Sequence, residues 1–279
     1  MATRTICAWL LVAILVAGAC SNGSDGADPT IVERPDWGEA FDDAGVEGTF
    51  ALREIGSGTT EVWDLQRAET PRLPASTFKI LNSLIALDVG AIADVDETEA
   101  WDGVDRGLAV WNRDHSLRTG IDVSAVWLYQ RLARSIGGEA MAAAVTAAGY
   151  GNADIGGDID RFWLDGDLRI SPVEQLDFLE RLVAGDLPFN ETHMAAVLDI
   201  IVRERTEASI WRHKTGTAFA TDPVLGWLVG TTEHDGRSFV FALNLDLPLV
   251  DSVGDELDPQ IRQRLARRIL EDAGALPPA

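Results

Sequence analysis

Lysine stands at only two positions in this chain, Lys79 and Lys214, whereas arginine stands at 21. Arginine keeps its charge under all ordinary conditions, but a buried lysine amine can lose its proton and then act as a base or nucleophile. A position that keeps lysine in an arginine-filled chain is therefore a candidate for chemistry. Lys79 closes Ser76-Thr77-Phe78-Lys79, and Lys214 opens Lys214-Thr215-Gly216. With 12 serines and two lysines, chance supplies a Ser-x-x-Lys roughly 0.1 times and a Lys-Thr-Gly roughly 0.01 times. Residues three apart on a helix share a face, so Ser76 and Lys79 should lie side by side. A serine hydroxyl next to an amine that can be neutral is equipped for nucleophilic acyl transfer. Taken alone, the motif reads more simply as an N-capping serine followed by an exposed lysine. The apolar neighbours Phe78 and Ile80 count against solvation, and the second motif decides for chemistry.

Those residues need a scaffold, and the chain reads as strands, then helices, then strands. Gly48–Ile55 and Thr60–Leu65 are strand-like and are joined by Gly56-Ser57-Gly58, a hairpin candidate. Val224–Gly230 and Ser238–Asn244 form a second pair, with a turn over His234-Asp235-Gly236-Arg237. Between them, Pro74-Ala75-Ser76 precedes an apolar run, Phe78, Ile80, Leu81, Leu84 and Ile85, so a helix should begin at or near Ser76. Its N-terminus would aim backbone N–H groups at the serine, where an oxyanion needs them. Ser124 should open a helix through Val126, Leu128 and Leu132, as cap, proton carrier or both. Ser171-Pro172-Val173-Glu174 is a capping box for a helix to about Val183. Asn190 caps another helix, to about Val202, and a last helix starts at Asp258-Pro259 and stops near Gly274. Strands at both ends with helices between imply an α+β fold with an inserted helical lobe.

Ser76-Thr77-Phe78-Lys79 and Lys214-Thr215-Gly216, with Ser124-Ala125-Val126 and Tyr150-Gly151-Asn152 between them, resemble the class D serine β-lactamases, the oxacillinase family. Phe162-Trp163-Leu164 and Trp111-Asn112-Arg113-Asp114-His115 are similar to further signatures of that family. Class A enzymes need Ser-Asp-Asn and a separate glutamate base, and here Ser-Ala-Val stands in that place. The resemblance implies the two-lobed serine β-lactamase/penicillin-recognising fold. Its antiparallel sheet comes from N- and C-terminal strands flanked by helices. The sheet lobe is expected over about 31–75 and 203–279, and the helical lobe over about 76–202.

The same resemblance implies roles. Ser76 is the nucleophile, and Lys79, carboxylated on its amine by carbon dioxide or bicarbonate, is the general base for acylation and deacylation. Trp163 donates its indole N–H to that carbamate, while Phe78, Val126 and Leu164 keep the surroundings dry. Ser124 shuttles the proton to the leaving nitrogen, assisted by Lys214. The N–H groups of Ser76 and Thr217 form the oxyanion hole. Thr215, Gly216, Thr217 and Trp111 border the substrate, and Arg262 is the expected anchor for its carboxylate. Arg264, Arg267 and Arg268 are the neighbouring alternatives. Tyr150-Gly151-Asn152 should shape a turn below the pocket. Small residues after Gly216, Thr217 and Ala218, leave the pocket open there.

The N-terminus adds an address. Arg4 followed by an uncharged apolar run from Cys7 to Gly18 reads as an export signal over residues 1–19. Ala17-Gly18-Ala19 suits ordinary cleavage, while the same residues before Cys20 resemble a lipobox that would place a lipid on Cys20. Residues 20–30 are then a polar tether to a catalytic domain over 31–279. The expected location is the periplasm or cell envelope. Cys7 and Cys20 leave the domain without a disulfide, and the four histidines show no ligand spacing, so no metal is expected. A net charge of −22 disfavours nucleic acid and anionic lipid as partners. Three rivals remain: a β-lactam sensor that stops at the acyl-enzyme, a cell-wall peptidase, and a lipoprotein without chemistry. The peptidase should show Ser-x-Asn in place of Ser124-Ala125-Val126, and the sensor needs multi-helix membrane machinery.

Overall fold

The computed structural model describes residues 29–247 and 260–278. Seven strands form one sheet: β1 (Thr30–Glu33), β2 (Gly48–Glu54), β3 (Thr59–Trp63), β4 (Val202–Arg205), β5 (Ser209–Ala218), β6 (Leu225–His234) and β7 (Arg237–Asp246). Their spatial order is β1-β3-β2-β7-β6-β5-β4. The two ends of the chain thus meet where β2 lies antiparallel to β7, with Ala51 opposite Ala242. The helices are α1 (Gly38–Ala44), α2 (Leu65–Ala68), α3 (Lys79–Asp88), α4 (Leu117–Asp122) and α5 (Val126–Ile136). Four more follow, α6 (Gly138–Ala148), α7 (Pro172–Ala184), α8 (Glu191–Ile200) and α9 (Ile261–Asp272).

The sheet buries both faces, and strand periodicity sorts its residues between two cores. Phe241, Leu243 and Leu245 pack with Leu265 and Ile269 of α9 and with Trp37 and Phe41 around α1. Val240 and Ala242 face the other way, into the larger core with α3, α5 and α7. Helix α3 is buried from Lys79 to Leu87 and forms the axis of that core.

Several expectations are met closely. Gly56 and Gly58 take positive φ between β2 and β3, and Asp235 and Gly236 take positive φ between β6 and β7. That is the backbone hand that a tight hairpin needs. Ser171 Oγ accepts from the Glu174 N–H at 3.2 Å while Glu174 Oε2 accepts from the Ser171 N–H at 2.7 Å. Other expectations need correction. The sheet is not wholly antiparallel, because β1 pairs with β3 in parallel. The chain between those strands runs through α1 and β2, and a crossover of that kind permits parallel pairing. Helix α8 stops at Ile200, since Val202 is drawn into β4 opposite Arg212. The predicted start of the last helix, Asp258-Pro259, lies outside the described residues.

Tyr150-Gly151-Asn152 does shape a turn. Gly151 has φ +55°, and a Cβ there would lie 2.0 Å from the Arg169 carbonyl oxygen. Asn152 then clamps the loop that follows. Its Oδ1 accepts from the Arg169 N–H at 2.9 Å, and its Nδ2 donates to the Asp167 carbonyl at 3.0 Å. Gly151→Ala is expected to lower the unfolding free energy by about 2 kcal/mol or more in urea titrations, through clash and backbone strain together. A loss below about 0.5 kcal/mol would mean the turn is not constrained as described.

Candidate active site

Ser76 sits in a 3-10 turn, Ala75–Phe78, that runs directly into α3. Ala75 has φ +49°, uncommon for a residue with a side chain. Thr77 holds the turn shut, with its Oγ1 donating to the Pro74 carbonyl at 2.8 Å. Gln175 Nε2 of α7 donates to Thr77 Oγ1 and to Tyr150 Oη, each at 3.1 Å. The serine turn is thereby tied to the tyrosine of the turn that begins the loop 153–169.

Lys79 lies one helical turn on, and its Nζ donates to Ser76 Oγ at 2.6 Å. The side chain is completely buried. Phe78 stacks on Trp163 with centroids 5.4 Å apart, and the Tyr129 ring lies 5.4 Å from Nζ. Among the described residues no carboxylate pairs with this ammonium. Loss of hydration lowers its pKa to about 7. The indole N–H of Trp163 is buried with no acceptor. A buried indole donor left without an acceptor, on a ring that stacks against the residue preceding Lys79, is suited to an acceptor group at that amine.

The second lysine approaches from the sheet. Lys214 on β5 pairs with Val229 on β6, and its Nζ donates to Ser124 Oγ at 3.0 Å and to the Thr215 carbonyl at 2.9 Å. Burial and the charge of Lys79 hold its pKa well below the ordinary lysine value. Ser124 corrects an expectation. Its φ is +57°, Ala125 is the N-cap of α5, and no side chain caps that helix. Its hydroxyl is therefore turned to Lys214 and not to the helix end. Gly216 explains how β5 comes so near the serine. A Cβ there would lie 3.0 Å from the Pro74 carbonyl oxygen and 3.1 Å from Thr77 Cγ2.

These groups open onto a cleft of about 370 Å³ lined by Ser76, Ser124, Thr215, Gly216 and Thr217, with Trp111, Val126 and Leu164 as its apolar wall. Trp111 is fixed by an indole bond to the Val123 carbonyl at 2.9 Å. His115 is scaffold, with Nε2 bonded to the Val110 carbonyl at 2.9 Å and Nδ1 to Thr119 Oγ1 at 3.0 Å. Arg262 lies in the first turn of α9, and its Nη1 donates to the Gly216 carbonyl at 2.6 Å and to Thr217 Oγ1 at 3.1 Å. Desolvation lowers its pKa to about 10. Arg267 bonds Glu204 and Arg268 bonds Asp43, so they serve elsewhere.

The sequence reading missed part of the wall. The small residues after Gly216 do not leave it bare. Ala218 is buried in the core, and Phe219, 77% exposed, borders the cleft. Arg161 and Asp165, an ion pair four residues apart on the loop before α7, border it too. Nothing in residue type separated that pair from other surface pairs. Phe219 was detectable as an aromatic two residues beyond Thr217.

Holding Lys79 dry costs stability. Its folded pKa of about 7 lies below the unfolded value of about 10.5. The penalty is therefore complete below about pH 7, shrinks as pH rises, and vanishes above pH 10.5. At pH 7 it amounts to on the order of 4 kcal/mol. In carbon dioxide-depleted buffer, Lys79→Met should raise the melting temperature by several degrees at pH 6 to 7, with the gain fading toward pH 10. A variant less stable than wild type at pH 6 would contradict the uncompensated burial.

The site and fold can be set beside known proteins. Residues 42–271 match the family described as the penicillin binding protein transpeptidase domain. The chain is 38% identical over 245 residues to "Beta-lactamase OXA-48" of Klebsiella pneumoniae, covering 88% of this chain and 90% of that one. It is 43% identical over 200 residues to "Probable beta-lactamase YbxI" of Bacillus subtilis, covering 72% and 74%. The crystal structure of a class D β-lactamase from Nostoc superposes with a TM-score of 0.81 at 38% identity, covering 86% of this chain and 99% of that one. Identity at this level over most of both partners leaves one assignment, and this chain belongs to the class D serine β-lactamases.

Proposed function

We propose that Ser76 opens the β-lactam ring by acyl transfer and that position 79 serves as base in both halves of the reaction. The observation that carries this reading is a fully buried Lys79 amine 2.6 Å from Ser76 Oγ, with no carboxylate partner among the described residues. Ser76 Oγ attacks the lactam carbonyl carbon as its proton leaves toward Lys79, and the C–N bond then breaks. N–H groups of Ser76 and Thr217 receive the negative charge that forms on the carbonyl oxygen. Ser124, hydrogen-bonded to Lys214, passes a proton to the departing nitrogen. A water then attacks the ester carbon, and Ser76 regains its hydrogen as the opened acid leaves.

Carbon dioxide fits this site as an adduct of Lys79. At a pKa lowered to about 7 the amine has a sizeable neutral fraction near neutral pH, and Ser76 Oγ and the orphaned Trp163 N–H are the groups that would hold the adduct. When bound it would supply a carboxylate base at position 79. Arg262, Lys214, Thr215 and Thr217 gather positive charge and donors at one end of the cleft, where the substrate carboxylate would be drawn. Trp111, Val126 and Leu164 cover the apolar parts of the substrate.

The chain's address extends the proposal. Residues 1–19 act as an export signal, residues 20–30 as a tether lipidated at Cys20, and residues 31–279 as the catalytic domain of an envelope or periplasmic enzyme. No helix among the described residues is long and apolar enough to cross a membrane.

The test is turnover of a chromogenic cephalosporin by the full chain, with and without bicarbonate, beside Lys79→Ala. We expect multiple turnovers that bicarbonate stimulates, and a loss of about a thousandfold or more in the variant. A stoichiometric burst without turnover, bicarbonate present, would overturn hydrolysis in favour of a sensor that remains acylated.

A further inference from the structure

Beside the catalytic cleft lies a second recess, of about 220 Å³, that shares Asp165 and Ala220 with it. Two arginines, Arg72 and Arg169, line it. Their backbones are locked together. The Arg72 N–H donates to the Ile170 carbonyl and the Ile170 N–H to the Arg72 carbonyl, both at 2.9 Å, one residue after Arg169. Arg169 spends Nη1 on the Gly166 and Leu168 carbonyls, at 2.7 and 2.8 Å. Arg72 has no carboxylate partner among the described residues, and its Nε is buried with no acceptor. The acids that its field includes are Asp246 and Asp64, opposed by Arg67, and Asp246 is itself bonded to Arg67 at 2.7 Å. The one carboxylate that lines the recess, Asp165, is bonded by Arg161. An unpaired guanidinium with a buried, unsatisfied donor is suited to a planar anion.

Position within the site identifies the anion. Arg72 precedes Ser76 by four residues, so their Cα atoms are at most about 14 Å apart. On the functional reading above, which this inference rests on, the carboxylate of the lactam nucleus is drawn to Lys214 and Arg262. The acyl side chain then extends the other way, past Leu164 toward Ala220 and Asp165, which line both the cleft and the recess. We propose that the Arg72–Arg169 recess is an anion subsite that receives β-lactams whose acyl side chain ends in a carboxylate. It is a specificity site: it touches the substrate's distal end and leaves the reacting atoms alone.

The test compares two cephalosporins of one nucleus, one carrying a 4-carboxybutanoyl side chain and the other a pentanoyl chain of equal length. In the full chain, Arg72→Gln should lower the ratio of their kcat/KM values, anionic to neutral, by about tenfold, through KM. Arg72→Lys, which keeps the charge, should retain part of the ratio. The ratio in wild type should also shrink as salt rises. An unchanged ratio in Arg72→Gln overturns the subsite, and so does an equal fall for both compounds. The same comparison is made as dissociation constants in Ser76→Ala and Ser76→Ala/Arg72→Gln, read by tryptophan fluorescence. If wild type hydrolyses neither compound, the acyl-transfer reading fails, and the ratio of dissociation constants still decides the subsite.

Discussion

An ammonium taken out of water without a counter-ion gives up its proton more readily, and this site is arranged around that fact. Lys79 is fully buried in α3 with the Tyr129 ring 5.4 Å from its amine, and no acid among the described residues answers it. A nearby aspartate would have raised the fold's stability and removed the base, because a paired lysine keeps its proton at neutral pH. The surrounding structure makes the dry environment hold. Helix α3 is buried on all sides, which only a helix at the centre of a core can be. The loop that brings Trp163 is clamped by Asn152, whose own position depends on a glycine turn. Stability is exchanged for a neutral amine, an exchange familiar at sites of function.

The two lobes meet at the chemistry. Lys79 belongs to the helical side and Lys214 to the sheet, yet both are buried at one junction, where burial loosens each proton and the charge of Lys79 further loosens that of Lys214. The junction is possible because Gly216 lacks a side chain where β5 passes the Pro74 carbonyl and Thr77. Behind β5, Arg262 from α9 grips the strand at Gly216 and Thr217, so the second core also supports the cleft. Charge is divided around the cleft: Arg262 and Lys214 stand at it, while acids such as Asp177 and Asp96 pair with arginines elsewhere on the surface.

The candidate site was legible in the sequence to the extent that residue type and local spacing bring its groups together. Ser76 and Lys79 are neighbours through helical geometry alone, and the rarity of lysine pointed to Lys214. Arg262 was selected from four arginines by resemblance, and its contact with Gly216 is a long-range fact. What escaped reading depended on direction or on distant pairing. For Ser124, read as a proton carrier assisted by Lys214, a helix cap or both, only the cap fails, because its positive φ turns the hydroxyl to Lys214. Strand β1 is short, exposed at every residue and paired across the chain, so it carries no alternation from which to infer its parallel partner. Arg72 and Arg169 stand 97 positions apart, and only the bridge between Arg72 and Ile170 brings them to one recess.

The central claim is that Lys79 is neutral and open to carbon dioxide, and carbon-13 NMR of the full chain in labelled bicarbonate tests it most directly. The account predicts one carbamate resonance near neutral pH, lost on acidification through about pH 7, absent in Lys79→Ala and weakened in Trp163→Phe. A resonance that survives Lys79→Ala, or none at pH 8 in protein that turns substrate over, would contradict it.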